Sequence, residues 1–288
     1  MATSPVVLLI DNGSLRPDAT MALRRLAELL SARSGLSIEP VSLLHSSQVS
    51  AADLGGVPAQ IVKPGLRRLI EAGAREFIFL PLFLGPSRGI TDYLPELIDD
   101  ARAFAPELRA VVADTLAGAD VDGPDVRLAE MLAAHVRQTM QAGEFSHPQV
   151  ALVDHGTPVE PVNRVRNAVA RQLADLLGTE VSTVVASSME RRAGAEYDFN
   201  EPLLENVDQI EALIGGDLIV ALFFLLPGRH AGTAGDVAQI CDALLERKVF
   251  SRVEMTPLLG EHPVLLDILA DRLQVALARI EGGAAGGA

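Results

Sequence analysis

The chain repeats itself, and this internal duplication constrains its fold more than any other feature of the sequence. The segment VVLLIDNGSLR (6–16) corresponds to VALVDHGTPVE (150–160), which sets Asn12 against His155 at an offset of 143 residues. FIFLPLFLGPSRG (77–89) corresponds to LIVALFFLLPGRH (218–230) at an offset of 141. An offset that stays nearly constant over half a chain indicates two copies of one folding unit.

Each half alternates continuous Val/Ile/Leu runs with helix-periodic stretches, in the order β-α-β-α-β-α-β-α. Continuous apolar runs are typical of strands buried on both faces, as in parallel sheets covered by helices. The sequence therefore predicts an α/β protein of two similar lobes, each a four-stranded parallel sheet flanked by helices. We expect an N-terminal lobe at 1–145, a C-terminal lobe at 146–280, and a flexible Gly/Ala-rich tail at 281–288.

Composition excludes several classes of function. The net charge is −14, from 38 acidic and 24 basic residues, and this argues against nucleic acid or an anionic membrane as partner, since both require cationic surface. Cys241 is the single cysteine, so any metal ligands must be His and carboxylate. The longest apolar run, 218–226, is too short to span a membrane, and no secretory signal pattern is present. We expect a cytoplasmic protein.

Candidate functional residues follow the predicted strands, because ligands of open parallel sheets bind beyond the carboxyl ends of the strands. In the C-terminal half, His155, Glu190 and His230 follow the first three strands, whereas the N-terminal half has Asn12 and Gly89 at the two histidine positions. A lone histidine in such a loop is usually an ordinary surface residue, but two at neighbouring strand ends favour a metal or acid–base site. Imidazole and carboxylate suit Fe, Co, Ni or Zn without selecting among them.

The acid of this site is open at this point. Glu190 could complete a His/Glu/His site, or it could be a solvated acid beside Arg191 and Arg192. Glu201, in the segment FNEPLLENV, competes for the same role.

The turn containing His155, the acid after the second strand and the PGRH segment (227–230) together resemble the class II chelatases. These are the CbiX-type sirohydrochlorin cobaltochelatases and ferrochelatases of siroheme and cobalamin biosynthesis, and the resemblance extends to the ending LLGEHPVLLDILADR (258–272). Members of this family have two similar lobes, formed by a homodimer of short chains or by one duplicated chain. The resemblance implies two chelatase-like lobes and a lyase that inserts Fe²⁺ or Co²⁺ into sirohydrochlorin, a tetrapyrrole.

Carried over residue by residue, the resemblance implies that His155, His230 and Glu190 are the catalytic and metal-binding residues. FNEPLL resembles the family's EPSL motif at a longer spacing, which keeps Glu201 as the competing acid. Sirohydrochlorin carries eight carboxylates, so its periphery requires polar and cationic contacts. The candidates for substrate binding are Arg229, Arg191, Arg192, Arg88 and Asn12.

The N-terminal half cannot supply the same site, so we expect one active site per chain, in the C-terminal lobe. No permanently bound cofactor is implied, and the metal (Fe²⁺, Co²⁺ or Ni²⁺) is a substrate. The chain would act as a monomeric pseudo-dimer or as a homodimer. Two alternatives remain: a non-catalytic tetrapyrrole or metal carrier derived from a chelatase, and a small-molecule enzyme that uses His155 as a general base without metal.

Overall fold

The computed structural model describes residues 4–213, 215–232 and 234–285. Its strands form two four-stranded sheets, with the orders β2-β1-β3-β4 and β6-β5-β7-β8, and every pair of neighbouring strands is parallel. The strands are β1 (Val6–Asp11), β2 (Ile38–Ser42), β3 (Glu76–Pro81), β4 (Arg109–Val112), β5 (Gln149–Asp154), β6 (Thr183–Ser188), β7 (Asp217–Leu222) and β8 (Arg252–Met255). The predicted fold class is confirmed.

Helices connect the strands and cover the sheets. They are α1 (Pro17–Ser34), α2 (Val62–Glu71), α3 (Leu94–Phe104), α4 (Arg127–Ala142), α5 (Glu160–Leu177), α6 (Asp236–Glu246) and α7 (Val264–Ala285). Pro17 begins α1, where its missing N–H costs nothing, and Gly35 ends it in the left-handed conformation. Among the described residues, no helix is both long enough and apolar enough to cross a membrane.

The crossover from β6 to β7 differs from the expected helix. This segment forms short 3-10 turns at Ala195–Asn200, Leu204–Gln209 and Glu211–Leu213. Pro202 lies between the first two turns, and its ring removes a backbone donor that a continuous helix would need. The predicted α-helix at this point is wrong.

The central strands are buried along their whole length, which explains their uninterrupted apolar sequences. Leu152 of β5 and Ile219 and Val220 of β7 are fully inaccessible to solvent. In the second sheet, Val153 and Val220 pack into one core cluster with Leu244 of α6. Because helices cover both faces of these central strands, no face is polar and the sequence does not alternate between polar and apolar residues.

The compact units of the structure differ from the two sequence repeats. One unit comprises 4–119 with 265–285, and the other comprises 120–264, whereas the repeats predicted a division at residue 145. Helix α4 belongs to the second unit, where Arg137 pairs with Glu180, and α7 belongs to the first, where Arg279 pairs with Asp114. Two duplicated sheets offer similar apolar surfaces, so chain order alone does not decide which sheet the closing helix covers.

Helix α7 also shortens the predicted tail. The helix extends to Ala285, so residues 281–285 are helical, and residues 286–288 lie outside the described residues. Two glycines near a helix end cost only about 1 kcal/mol each, and no proline stops the helix earlier.

Candidate functional site

Three side chains singled out in the sequence lie at one edge of the second sheet. His155 directly follows β5, Glu190 lies two residues beyond β6, and His230 lies between β7 and α6. Because β6, β5 and β7 are consecutive neighbours, their carboxyl ends bring these three loops together.

Gly156 allows the His155 turn to pack directly against the backbone of Glu190. Its φ is +91°, and a Cβ at this position would lie 1.8 Å from the carbonyl oxygen of Glu190. The Glu190 amide donates a hydrogen bond to the carbonyl of His155 at 3.2 Å. A residue with a side chain at 156 would therefore separate the two loops.

The side chains form a continuous row of four. Nε2 of His155 lies 3.4 Å from Oε1 of Glu190, and the rings of His155 and His230 meet edge to face with centroids 4.5 Å apart. Nδ1 of His230 lies 2.7 Å from Oδ2 of Asp236. The row Glu190–His155–His230–Asp236 thus has a carboxylate at each end and two imidazoles between them. Both groups are ligand types of borderline divalent metals.

This row is open to solvent. The His155 and Glu190 side chains are 46% and 60% exposed. Among residues 4–213, 215–232 and 234–285, no three His, Cys, Asp or Glu side chains already converge as metal ligands. The geometry therefore differs from a closed four-ligand structural site, which holds its ion permanently.

A buried ionic network supports the His155 turn from below. Arg166 of α5 is 1% exposed, and it donates hydrogen bonds to the Ser188 hydroxyl and the Asn200 carbonyl. Its Nη1 lies 3.8 Å from Asp154, which also accepts a hydrogen bond from Ser188. Burial raises the pKa of Asp154, while Arg166 and Ser188 lower it. Both Asp154 and its cation are thus held in the core directly beneath the site.

Asn200 links the β6–β7 crossover to the same turn. Its side chain accepts a hydrogen bond from the Thr157 amide and donates one to the Thr157 carbonyl, both at 2.9 Å. The sequence prediction missed Asn200, Arg166 and Asp236. Arg166 carried a usable signal, because it occupies an apolar-face position of α5 between Val162 and Val169.

The two competing acids have different surroundings. Glu201 accepts a hydrogen bond from Arg191 Nε at 2.7 Å and another from the Leu203 amide at 2.9 Å. Arg191 also pairs with Asp198, so Glu201 and Arg191 stabilise the loop together. Glu190 is the acid in contact with His155.

The proposed substrate-binding residues are dispersed. Arg229 is 82% exposed and lies 3.7 Å from Asp236, beside the row. Arg192 is exposed, whereas Arg191 is tied to Glu201. Arg88 and Asn12 are exposed in the other compact unit.

The first unit carries a different set of residues at the corresponding places. Gly13 repeats the geometry of Gly156, with φ +88° and the Leu44 carbonyl 1.7 Å from an added Cβ. Leu44 thus corresponds to Glu190.

The buried acid beneath the turn also differs between the repeats. By the offset of 143, Asp11 corresponds to Asp154 and Leu23 corresponds to Arg166, so the first repeat has a leucine where the second has the arginine that pairs with its buried acid. Burial raises the pKa of Asp11 to about 6.

Two further features lie in the second unit. A cavity of about 390 Å³ is lined by Glu190 and Asp236 together with Gln239 and Arg247.

A second histidine pair, His135 and His262, has ring centroids 5.2 Å apart, and burial lowers the pKa of both. This pair lies on α4 and at the start of α7 rather than at strand ends.

The protein is thus a duplicated α/β protein in which each repeat contains a parallel sheet. In the second repeat, two histidines and a carboxylate lie at the carboxyl ends of the strands. The sequence model of the CbiX family matches residues 6–139 and again residues 149–276. The chain therefore belongs to the CbiX family, with two copies of the family's domain.

Known relatives extend the comparison. The chloroplastic sirohydrochlorin ferrochelatase of Arabidopsis thaliana is 29% identical over 137 residues, which are 47% of this chain and 55% of that protein. The match thus spans about half the length of this curated relative.

Solved structures share the fold. SirB from Bacillus subtilis with Fe³⁺ matches with a TM-score of 0.67 at 16% identity, covering 97% of this chain and 98% of that one. A second structure, described as CbiX, the terminal enzyme for biosynthesis of siroheme in denitrifying bacteria, matches with a TM-score of 0.56 at 16% identity. It covers 94% of this chain and 99% of that one.

Proposed function

We propose that this protein is a chelatase that inserts a divalent metal, Fe²⁺ or Co²⁺, into sirohydrochlorin. The observation that carries the proposal is the contact of the His155 and His230 rings, 4.5 Å apart, with Glu190 at 3.4 Å from His155. Support comes from the Arabidopsis relative, whose name specifies sirohydrochlorin and iron, and from SirB, which has been solved with Fe³⁺ and with cobalt.

The spacing of His155 and Glu190 suits a shared metal ion. Two ligand atoms each about 2.1 Å from one ion lie roughly 3.0–3.4 Å apart at angles between 90° and 109°. Nε2 of His155 and Oε1 of Glu190 are 3.4 Å apart. His230 supplies a third donor from the neighbouring loop after a small ring movement, and the remaining positions stay open for water and the tetrapyrrole nitrogens.

Proton transfer is the second requirement of the reaction. The macrocycle gives up two pyrrole N–H protons when one M²⁺ takes their place, so two protons must leave the site. Imidazole accepts protons near neutral pH, and a solvent-exposed carboxylate passes them to water. In this proposal His155 and His230 first hold the metal and then accept protons once the metal has moved into the macrocycle, while Glu190 connects them with solvent.

The polycarboxylate periphery of the substrate requires cations. Arg229 is largely exposed next to the row, and Arg192 is exposed beyond Glu190. We propose these two as substrate contacts, whereas Arg88 and Asn12 lie in the other compact unit and stay predictions from the sequence. Arg191 has the weaker claim, because Glu201 and Asp198 already pair with it.

The decisive experiment is an anaerobic insertion assay that follows the tetrapyrrole absorbance with Fe²⁺ and Co²⁺ in parallel. Wild type should complete many turnovers, and His155→Ala or His230→Ala should lose about 10²-fold or more in rate. His147→Asn is the matched control, because His147 is an exposed histidine outside the row whose φ of +49° asparagine tolerates. Wild-type rates in either alanine variant would contradict the site assignment, and binding without turnover would identify a carrier instead.

The remaining features of the proposal concern the setting of the reaction. We propose that the enzyme acts in the cytoplasm as a single duplicated chain, with metal as substrate and no permanently bound cofactor. Light scattering of the purified protein should give the mass of one chain, 30.5 kDa. A mass of twice that value would show a homodimer.

A further inference from the structure

We propose that Asp236 is a positioning residue that fixes the tautomer and orientation of His230, so that its Nε2 faces the metal. This inference rests on the proposed function for its consequence in metal binding, but the tautomer itself can be measured without any metal. Asp236 lies outside the three residues that we assign as metal ligands.

The hydrogen bond determines which ring nitrogen of His230 carries the proton. Nδ1 of His230 lies 2.7 Å from Oδ2 of Asp236, which is an ordinary hydrogen-bond length. An ionised carboxylate only accepts hydrogen bonds, so Nδ1 must be the donor. In neutral His230 the lone pair is therefore on Nε2, the nitrogen available to a metal.

The second histidine shows the same arrangement by a different partner. Nδ1 of His155 lies 3.0 Å from the carbonyl oxygen of Gly156. A carbonyl oxygen has no proton to give, so Nδ1 of His155 is also the donor. Both rings thus present Nε2, and the Nε2 of His155 is the atom that faces Glu190.

The backbone holds Asp236 in register with His230. The Asp236 amide donates to the Arg229 carbonyl at 3.3 Å, and the Val237 amide donates to the His230 carbonyl at 3.1 Å. A Cβ on Gly235 would lie 2.6 Å from the His230 carbonyl oxygen, so the chain approaches closely only because this residue is glycine. The carboxylate and the ring are consequently fixed to the same short segment.

Competing roles for Asp236 are weaker. Arg229 Nε lies 3.7 Å away on a side chain that is 82% exposed, which is a loose ion pair in solvent. Asp236 is also in the first turn of α6, where a negative charge favours the helix. The helix effect changes stability but has no influence on which nitrogen of His230 is protonated.

The test uses the full chain labelled with ¹⁵N-histidine, with wild type, Asp236→Asn and Asp236→Ala compared by NMR at a pH where histidines are neutral. We expect His230 to be the Nδ1–H tautomer in wild type and in Asp236→Asn, whose amide oxygen still accepts. In Asp236→Ala we expect a shift toward the Nε2–H form. His155 is the internal control and should keep its tautomer in all three proteins.

Metal binding supplies the second readout. Loss of a carboxylate behind a ligating histidine lowers metal affinity about 10–100-fold, so Asp236→Ala should weaken Co²⁺ binding by that factor, and Asp236→Asn should weaken it less. An unchanged His230 tautomer in Asp236→Ala, or Nε2–H in wild type, would overturn the inference. A tautomer shift in a protein that inserts no metal would leave the inference standing and refute the proposed function instead.

Discussion

Nε2 of His155 lies 3.4 Å from the carboxylate of Glu190, and the Gly156 turn places these two residues in contact through both backbone and side chain. The two backbones can approach this closely only because Gly156 has no Cβ. This close approach in turn brings the side chains of His155 and Glu190 within contact distance. His230 joins from the next strand, with its ring 4.5 Å from that of His155. The conformation of Gly156 thus determines whether the side chains of the candidate site can meet.

Gly156→Ala should therefore disrupt the site and destabilise the fold. The added Cβ would lie 1.8 Å from a backbone oxygen at a φ of +91°, so we expect a loss of more than about 3 kcal/mol in urea unfolding. Gly55→Ala is the matched control, because Gly55 lies in the left-handed helical region (φ +70°, ψ +28°) but no atom lies within 4 Å of the new Cβ. We expect it to cost only about 1–2 kcal/mol. Equal costs for the two variants would contradict the steric argument.

Glu190 and Glu201 should be separable by kinetics. Glu190→Gln removes the charge next to His155 and should slow metal insertion by at least about 10²-fold. Glu201→Gln weakens the contact with Arg191 and should leave the insertion rate close to that of wild type. Initial rates at saturating tetrapyrrole give the comparison, and a larger effect of Glu201→Gln would make that residue the functional acid.

Arg166→Leu should be strongly destabilising, since it leaves Asp154 buried without its cation. Breaking a buried ion pair from one side costs about 3–5 kcal/mol, measurable by urea unfolding. Leu23 occupies the corresponding position in the first repeat, so a leucine of this size is compatible with the fold. The double variant Arg166→Leu/Asp154→Asn should recover part of the loss, and a loss equal to the sum of the two single variants would show that the pair does not interact.

Asp11 should make the first unit less stable as the pH rises. Its pKa is raised from 3.8 to about 6 by burial, so the folded form holds its proton more tightly than the unfolded chain does. The stabilising contribution of the protonated form is complete below pH 3.8 and is lost as the pH passes 6, at a total of about 3 kcal/mol.

Asp11→Asn removes this titration. The variant should gain stability relative to wild type between pH 4 and pH 8, as followed by thermal unfolding across that range. Asp18→Asn, on the exposed start of α1, is the control and should show no such trend. A constant difference between Asp11→Asn and wild type at all pH values would contradict the assignment.

The sequence predicted the fold well because burial on both faces leaves a clear signal in the central strands, as in VVLLID and VALVD. It also placed His155, Glu190 and His230 at neighbouring strand ends, since parallel topology determines where those ends meet. It could not predict that α4 and α7 would each join the sheet of the other repeat. It missed the crossover after β6, because the alternation of strands and helices in the repeat implied a helix there, whereas Pro202 interrupts one.

The three residues that the sequence prediction missed have roles that become visible only in the folded chain. Arg166, Asn200 and Asp236 act through contacts that are distant in sequence or that depend on loop geometry. Arg166 could have been noticed as a charge on an apolar helix face. Asp236 could not, because only the folded loop before α6 brings it to His230.

The most direct measurement is the anomalous scattering of Co²⁺ in crystals of the full chain grown without oxygen. We predict one ion about 2.0–2.2 Å from Nε2 of both His155 and His230, with Glu190 as the oxygen ligand. An ion bound through Nδ1 of either ring, an ion at His135 and His262, or no ordered ion near the row would contradict the central claim.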